Sequence, residues 1–575
     1  MTGRSKFVLL CVTILLVAST VRAQTDATKA KEAAELEKKT LALLNEIASA
    51  SWALKLPENR VYIMASTADL LWPFDDKRAR NLYWEALNSI TPTPPNRKAG
   101  EISQPYSLTL RLRRRVLLQV ARRDTQLALD MLRASRQVSL GPESSPSEER
   151  WLEQEIAEQI AARDPAQALQ LARESLAKGL TFKLANLLQN LQQRDTEKAS
   201  VFAGEIITRL QTKNVATDLH ASLLALYLVH DSRARELRPG ELKPLTLTDD
   251  QKRGLIEIMT SAALSPSANS NLLFQINEVM PEIEQFFPER RAALERKLAS
   301  FNDTLTRDQR DQNTQNTLIR RGEQEELVRI AASADGDTQD HLYQQAAIIA
   351  VARGNTDAFR EFLSKEISDS AERRKALDYL DAEEISTAAG RKQIDQLRKL
   401  LPKIERKEER ARAMAELAVL LKEKGEDAEA GTLLDEAATM IKTNLKDEKQ
   451  TNALLSLLCA YAVVDPAKAF ALAERTVDRA NSQISLLLLL DRVVKSGAVK
   501  KSEIILDQAG IIPLDNLVFK YGKGVAALAR SDFNRTRALA DRFDRNELRL
   551  LAQLLIVKGL LQPSDLSQPE FSTAQ

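Results

Sequence analysis

Arg163-Asp164-Pro165-Ala166-Gln167-Ala168-Leu169-Gln170-Leu171-Ala172 returns later in the chain as Val464-Asp465-Pro466-Ala467-Lys468-Ala469-Phe470-Ala471-Leu472-Ala473. The Asp, the Pro, two of the alanines, one Leu and the closing Ala keep their places. An Asp carboxylate accepts from the free N–H groups of a first helical turn. A Pro directly after it is tolerated because its missing N–H would be unpaired there anyway. The small residue four positions after the Asp admits a neighbouring helix, and the Leu seven positions after it lies on the same face. The stretch therefore predicts the start of the second helix of a helix–turn–helix unit, used more than once. It implies a repeat architecture and carries no chemistry.

The same template, an acid with a small residue at +4 and an apolar one at +7, recurs at Asp75, Asp124, Asp195, Glu426 and Asp532. From about Thr317 the helix pairs are divided near Gly354, Gly390, Gly425, Asp465, Gly497 and Asp532, at intervals of 36, 35, 40, 32 and 35 residues. Such intervals are those of αα-repeat families. Composition agrees: Ala, Leu, Glu, Arg, Lys and Gln dominate, aromatics are 5%, and period-two runs of Val, Ile and Thr are missing. The predicted class is all-α without a sheet.

The N-terminus reads as a secretory signal. Arg4 and Lys6 precede the apolar run Phe7 to Ala18, and Val21-Arg22-Ala23 fits a cut after Ala23. The run is short for a bilayer span of about 20 residues; an uncleaved anchor is the alternative. Removing 1–23 takes Arg4, Lys6 and Arg22 out of 82 basic residues, leaving 79 against 80 acids. The apparent basic excess belongs to the signal, and no basic footprint for nucleic acid remains. Of two cysteines, Cys11 leaves with the signal and Cys459 stays alone in an apolar run. No disulfide is available to the mature chain, so packing must hold it.

Along the chain the reading divides as follows. Residues 1–23 are the signal and 24–90 an aromatic-rich helical cap. A Pro-rich linker over 91–106 is expected to be non-helical as far as Pro105. Helical repeats over 107–230 lead to an irregular joint at 231–316, in which Asn302 to Asn316 is polar and expected to be flexible. Repeats over 317–560 and a disordered tail at 561–575 complete the chain.

Ala415-Glu416-Leu417-Ala418, then Gly425-Glu426 with Ala430, Leu433, Leu434 and Ala437, resembles the core of a tetratricopeptide repeat. The Asp164 and Asp465 units are similar to its second helix. The large aromatic and the Gly of that family's first helix are mostly missing. The resemblance implies an α-solenoid of stacked antiparallel helix hairpins, in two arms, and assigns no ligand-contacting residue. Ala68-Asp69-Leu70-Leu71-Trp72 through Tyr83-Trp84 is also similar to a segment of uncharacterised exported bacterial proteins, which brings no activity with it.

The search for chemistry ends in bland readings. His220, His230 and His341 lack the spacing of a metal site. Asp335-Gly336-Asp337-Thr338-Gln339-Asp340 places Asp340 where a calcium loop needs Gly and Ala346 where it needs a bidentate Glu. Tyr521-Gly522-Lys523-Gly524-Val525-Ala526-Ala527 has a dinucleotide-like string without a preceding strand, so a small-residue helix contact explains it better. No catalytic residue, cofactor or metal is assigned.

Two clusters are candidates for partner binding. Arg111, Arg113, Arg114, Arg115, Arg122 and Arg123 share a helix whose buried stripe is Leu108, Leu112, Val116 and Val120, so several point outward; Arg111, Arg114 and Arg115 are the candidates. A solvated outer face is the competing and favoured reading. Trp52, Trp72 and Trp84 gather before the linker with Tyr62, Phe74 and Tyr83. Sealing the end of a helical stack is the favoured role, and a peptide or glycan groove the alternative. The expected protein is an exported, periplasmic or extracellular scaffold. It binds a protein or peptide, without nucleic acid and without membrane insertion once the signal is cut. A cell-wall or polymer-processing enzyme on a helical superstructure, by analogy with exported lytic transglycosylases, and a self-assembling envelope protein are the alternatives.

Overall fold

The computed structural model describes residues 31–90, 104–139, 146–161, 163–233, 242–334, 336–441, 448–494, 499–500, 502–506 and 514–561. The signal, most of the Pro-rich linker, Gly497 and nearly all of the tail lie outside the described residues. The described chain is helical, with one two-residue-per-strand antiparallel hairpin that pairs Val499 with Ile504 and Lys500 with Glu503. That hairpin, β1 (Val499–Lys500) and β2 (Glu503–Ile504), is too short to have a readable period and leaves the class all-helical.

Two compact units divide the chain at 90/91 and 370/371. One holds residues 91–370, the other 1–90 together with 371–575. The latter opens with helix α1 (31–50), α2 (Pro57–Leu71) and α3 (Asp76–Asn88). The unit of residues 91–370 carries α4 (Gln104–Arg123), α5 (Thr125–Ser139), α6 (Pro146–Ala161), α7 (Pro165–Lys178), α8 (Lys183–Arg194), α9 (Thr196–Leu210) and α10 (Leu219–Asp231). It continues through α11 (Asp249–Leu264), α12 (Ser270–Gln275), α13 (Met280–Phe286), α14 (Arg291–Thr304), α15 (Arg307–Arg321), α16 (Gln324–Ala331), α17 (Gly336–Arg353) and α18 (Thr356–Glu366). The discontinuous unit resumes with α19 (Ser370–Gly390), α20 (Ile394–Leu400), α21 (Lys407–Lys424), α22 (Asp427–Met440), α23 (Glu448–Val464) and α24 (Pro466–Val494). It ends with α25 (Leu514–Ser531), α26 (Phe533–Asp541) and α27 (Asn546–Leu561).

The Asp signals have a common local outcome. Asp164 accepts from the Gln167 amide at 3.0 Å and Asp465 from the Lys468 amide at 3.2 Å. Asp75, Asp124, Asp195 and Asp532 accept in the same way from the amide three residues on. Each cap satisfies one donor that the helix itself leaves unpaired, worth about 1 kcal/mol. Glu426 makes no such bond; its longer side chain is a poorer cap. The residue at +4 is buried at every site, from Ala79 and Ala128 to Ala469 and Thr536, which is what lets the second helix approach the first. Gly425 ends α21 in the left-handed region at φ 86° and Gly354 ends α17 at φ 70°. After Gly390 that conformation falls instead on Lys392, at φ 54°.

In the unit of residues 91–370, α4 packs on α5 and on α6, α6 on α7 and on α8, and α8 on α9 and on α10. The first helix of each pair thus touches the first helix of the next. Two expectations are corrected here. Gln104 to Tyr106 belong to α4, since Pro105 sits in a first turn where no N–H is needed. Residues 307–316, read as polar and flexible, are the body of α15; a helix that is polar nearly all round has no apolar stripe to betray it.

In the discontinuous unit, α21, α23, α25 and α27 pack in series, and α27 also packs on α2. Small residues set the spacing. A Cβ on Gly524 of α25 would stand 2.7 Å from the Cα of Cys459 on α23, and one on Gly559 of α27 would stand 3.0 Å from the carbonyl oxygen of Gly522. The Gly522-Lys523-Gly524 string is therefore helix-packing material. The N-terminal segment is bound by polar bonds to the hairpin. Glu503, only 5% exposed, accepts from the amides of Lys55 at 2.7 Å and Leu56 at 3.1 Å, and from Asn59 Nδ2 at 3.2 Å. Asn59 also donates to the Ile504 carbonyl and accepts from the Leu506 amide. Arg537 of α26 pairs with Glu46 of α1, and Leu43, Leu44 and Ile47 of α1 are fully buried.

Candidate partner-binding surface

The basic run on α4 separates into different environments. Leu112, Val116, Leu117, Val120 and Ala121 form the buried stripe, wide because α4 meets both α5 and α6. Arg113 falls inside it. It is 1% exposed, donates from Nε to Ser135 Oγ at 2.9 Å, and reaches the Leu132 carbonyl. Its guanidinium holds α5 and is closed to any partner. Arg111 is exposed, and Arg115 is half-buried. Arg122 donates to Gln159 Oε1 at 2.8 Å.

Arg114 leads across three helices. Its Nη2 donates to Glu155 Oε1 on α6 at 2.9 Å, with a second, shorter contact from Nε to Oε2. Lys183 at the start of α8 pairs with the same carboxylate at 3.1 Å. Beside them Glu153 pairs with Lys178 at 2.6 Å, and Gln154 bonds Ser175 and Thr181. The Glu153-Gln154-Glu155 run sits among Leu152, Ile156 and Ile160, so α6 carries acids on the face that packs. Each is neutralised by a cation from a flanking element, which is how a buried carboxylate is held without a large desolvation penalty.

Two carboxyls in this seam are driven apart. Burial works to raise Glu155, but the bond and charge of Arg114, joined by Lys183, hold it below the ordinary glutamate range. Burial raises Glu158, and the charge of Glu155 adds to that; Lys183, Asn186 and Arg114 oppose it without prevailing. Folded Glu158 thus keeps its proton to a higher pH than the unfolded chain does, and its contribution to stability falls as pH rises through that window. Glu155 acts in the opposite sense: its contribution is present above the unfolded value and is lost as pH falls through the lowered one. Glu158→Gln is expected to raise the melting temperature at pH 7 by roughly 1–2 °C. The gain should vanish below about pH 4, where glutamate is protonated anyway. Scanning calorimetry at the two pH values checks this; a gain unchanged at acid pH would sink it.

The aromatic cluster lies in the discontinuous unit. Tyr62 and Tyr83 are the buried aromatics. Trp52 is 49% exposed under the Arg60 guanidinium, 5.5 Å from its ring centroid. Trp72 is half-buried, with Tyr83 at 6.2 Å and Arg80 above it at 4.9 Å; Trp84 is half-buried. Within the cluster the tyrosines fill the core, and Trp52 and Trp72 carry arginines on their faces.

Among the described residues no group of His, Cys, Asp and Glu is arranged to hold a metal ion, and no helix is long and apolar enough to cross a membrane. The chain matches no protein-family model, no curated protein and no solved structure.

Proposed function

We propose that this chain is an exported helical-repeat scaffold, an α-solenoid of the tetratricopeptide-like class, that binds a protein or peptide partner along the row of first helices in its hairpins. The observation that supports this reading most is the serial contact of α4 with α6 and α6 with α8. Charged side chains run across it from Arg111 and Arg114 through Glu155 and Glu158 to Lys183. Stacked hairpins of this kind leave one long surface lined by equivalent helices, on which an extended partner can lie. The buried small residue four places after each Asp cap supports the repeat reading, and the Phe7–Ala18 run followed by Val21-Arg22-Ala23 supports export.

The test is positional. A photo-crosslinker is placed in the intact chain at Arg111 or Gln189, exposed on first helices, or at Gln170 or Glu197, exposed on second helices. In extracts of the native envelope, adducts are expected at the first pair and not at the second. Equal labelling at all four, or turnover of a wall polymer abolished by changing a single acid, would replace the scaffold reading.

A further inference from the structure

We draw no further inference here: the strongest candidate, the exposed apolar edge of Trp151, Phe182 and Leu219 along the α6, α8 and α10 row, carries nothing because nothing in the structure shows what covers it.

Discussion

Glu503→Ala is expected to destabilise the discontinuous unit by about 3–5 kcal/mol, because several neutral donors lose one shared acceptor. The carboxylate accepts from the Lys55 and Leu56 amides and from Asn59 Nδ2. Alanine would leave the Leu56 amide buried without an acceptor and take one bond each from the Lys55 amide and from Asn59 Nδ2, which keeps the Ile504 carbonyl, at about 1–3 kcal/mol each, less whatever water relieves. Because the bonds join residues 55–59 to the hairpin, the damage should be shared. Hydrogen exchange followed by mass spectrometry should show α2 and α27 losing protection together, while α6 to α9 keep theirs. Glu503→Gln, which keeps one acceptor oxygen, should fall between. Full protection of α2 in the Ala variant would show that apolar packing alone holds the N-terminal segment.

The second large effect is at Gly524. A leucine there begins with a Cβ 2.7 Å from the Cα of Cys459 and 2.8 Å from its Cβ and Sγ. The first of these atoms is backbone, so no rotamer change removes the clash, and α23 and α25 must separate. Overpacking ordinarily costs about 1–3 kcal/mol; a contact this close to backbone should reach or pass the upper figure. Gly431 on α22 is the control, because a Cβ there meets nothing within 4 Å. Gly431→Ala should stabilise by up to about 1 kcal/mol through helix propensity. Urea unfolding of the two variants should move the midpoint in opposite directions. A neutral Gly524→Leu would mean that the helices are not in contact at this point.

The candidate surfaces were legible in part. Composition and spacing drew attention to the α4 arginines, yet Arg113 lies in the core while Arg114, one residue on, is exposed. One residue along a helix turns the side chain by about 100°, and only the position of α5 decides which neighbour is covered. The acids of α6 carry a signal that could have been read: Glu153-Gln154-Glu155 interrupts the face marked by Leu152, Ile156 and Ile160 and therefore needs partners. Those partners, Lys178, Lys183 and Arg114, come from three other elements and could not be named from spacing. Trp151 and Phe182 look in sequence like ordinary core residues at helix starts; their exposure follows from where the neighbouring helices end.

What the sequence determined by itself is local. Asp caps, the Pro that follows them, small residues at +4 and helix-forming composition act within a few residues of chain, so helix starts at Asp75, Asp124, Asp164, Asp195, Asp465 and Asp532 could be placed from them. The tertiary structure alone decided that residues 31–90 share a core with 371–561, that Glu503 is the acceptor joining them, and that Gly524 must be a glycine. These depend on contacts between residues hundreds of positions apart. The free energy of such contacts comes from buried area and completed hydrogen bonds, and neither leaves a periodic trace in the chain.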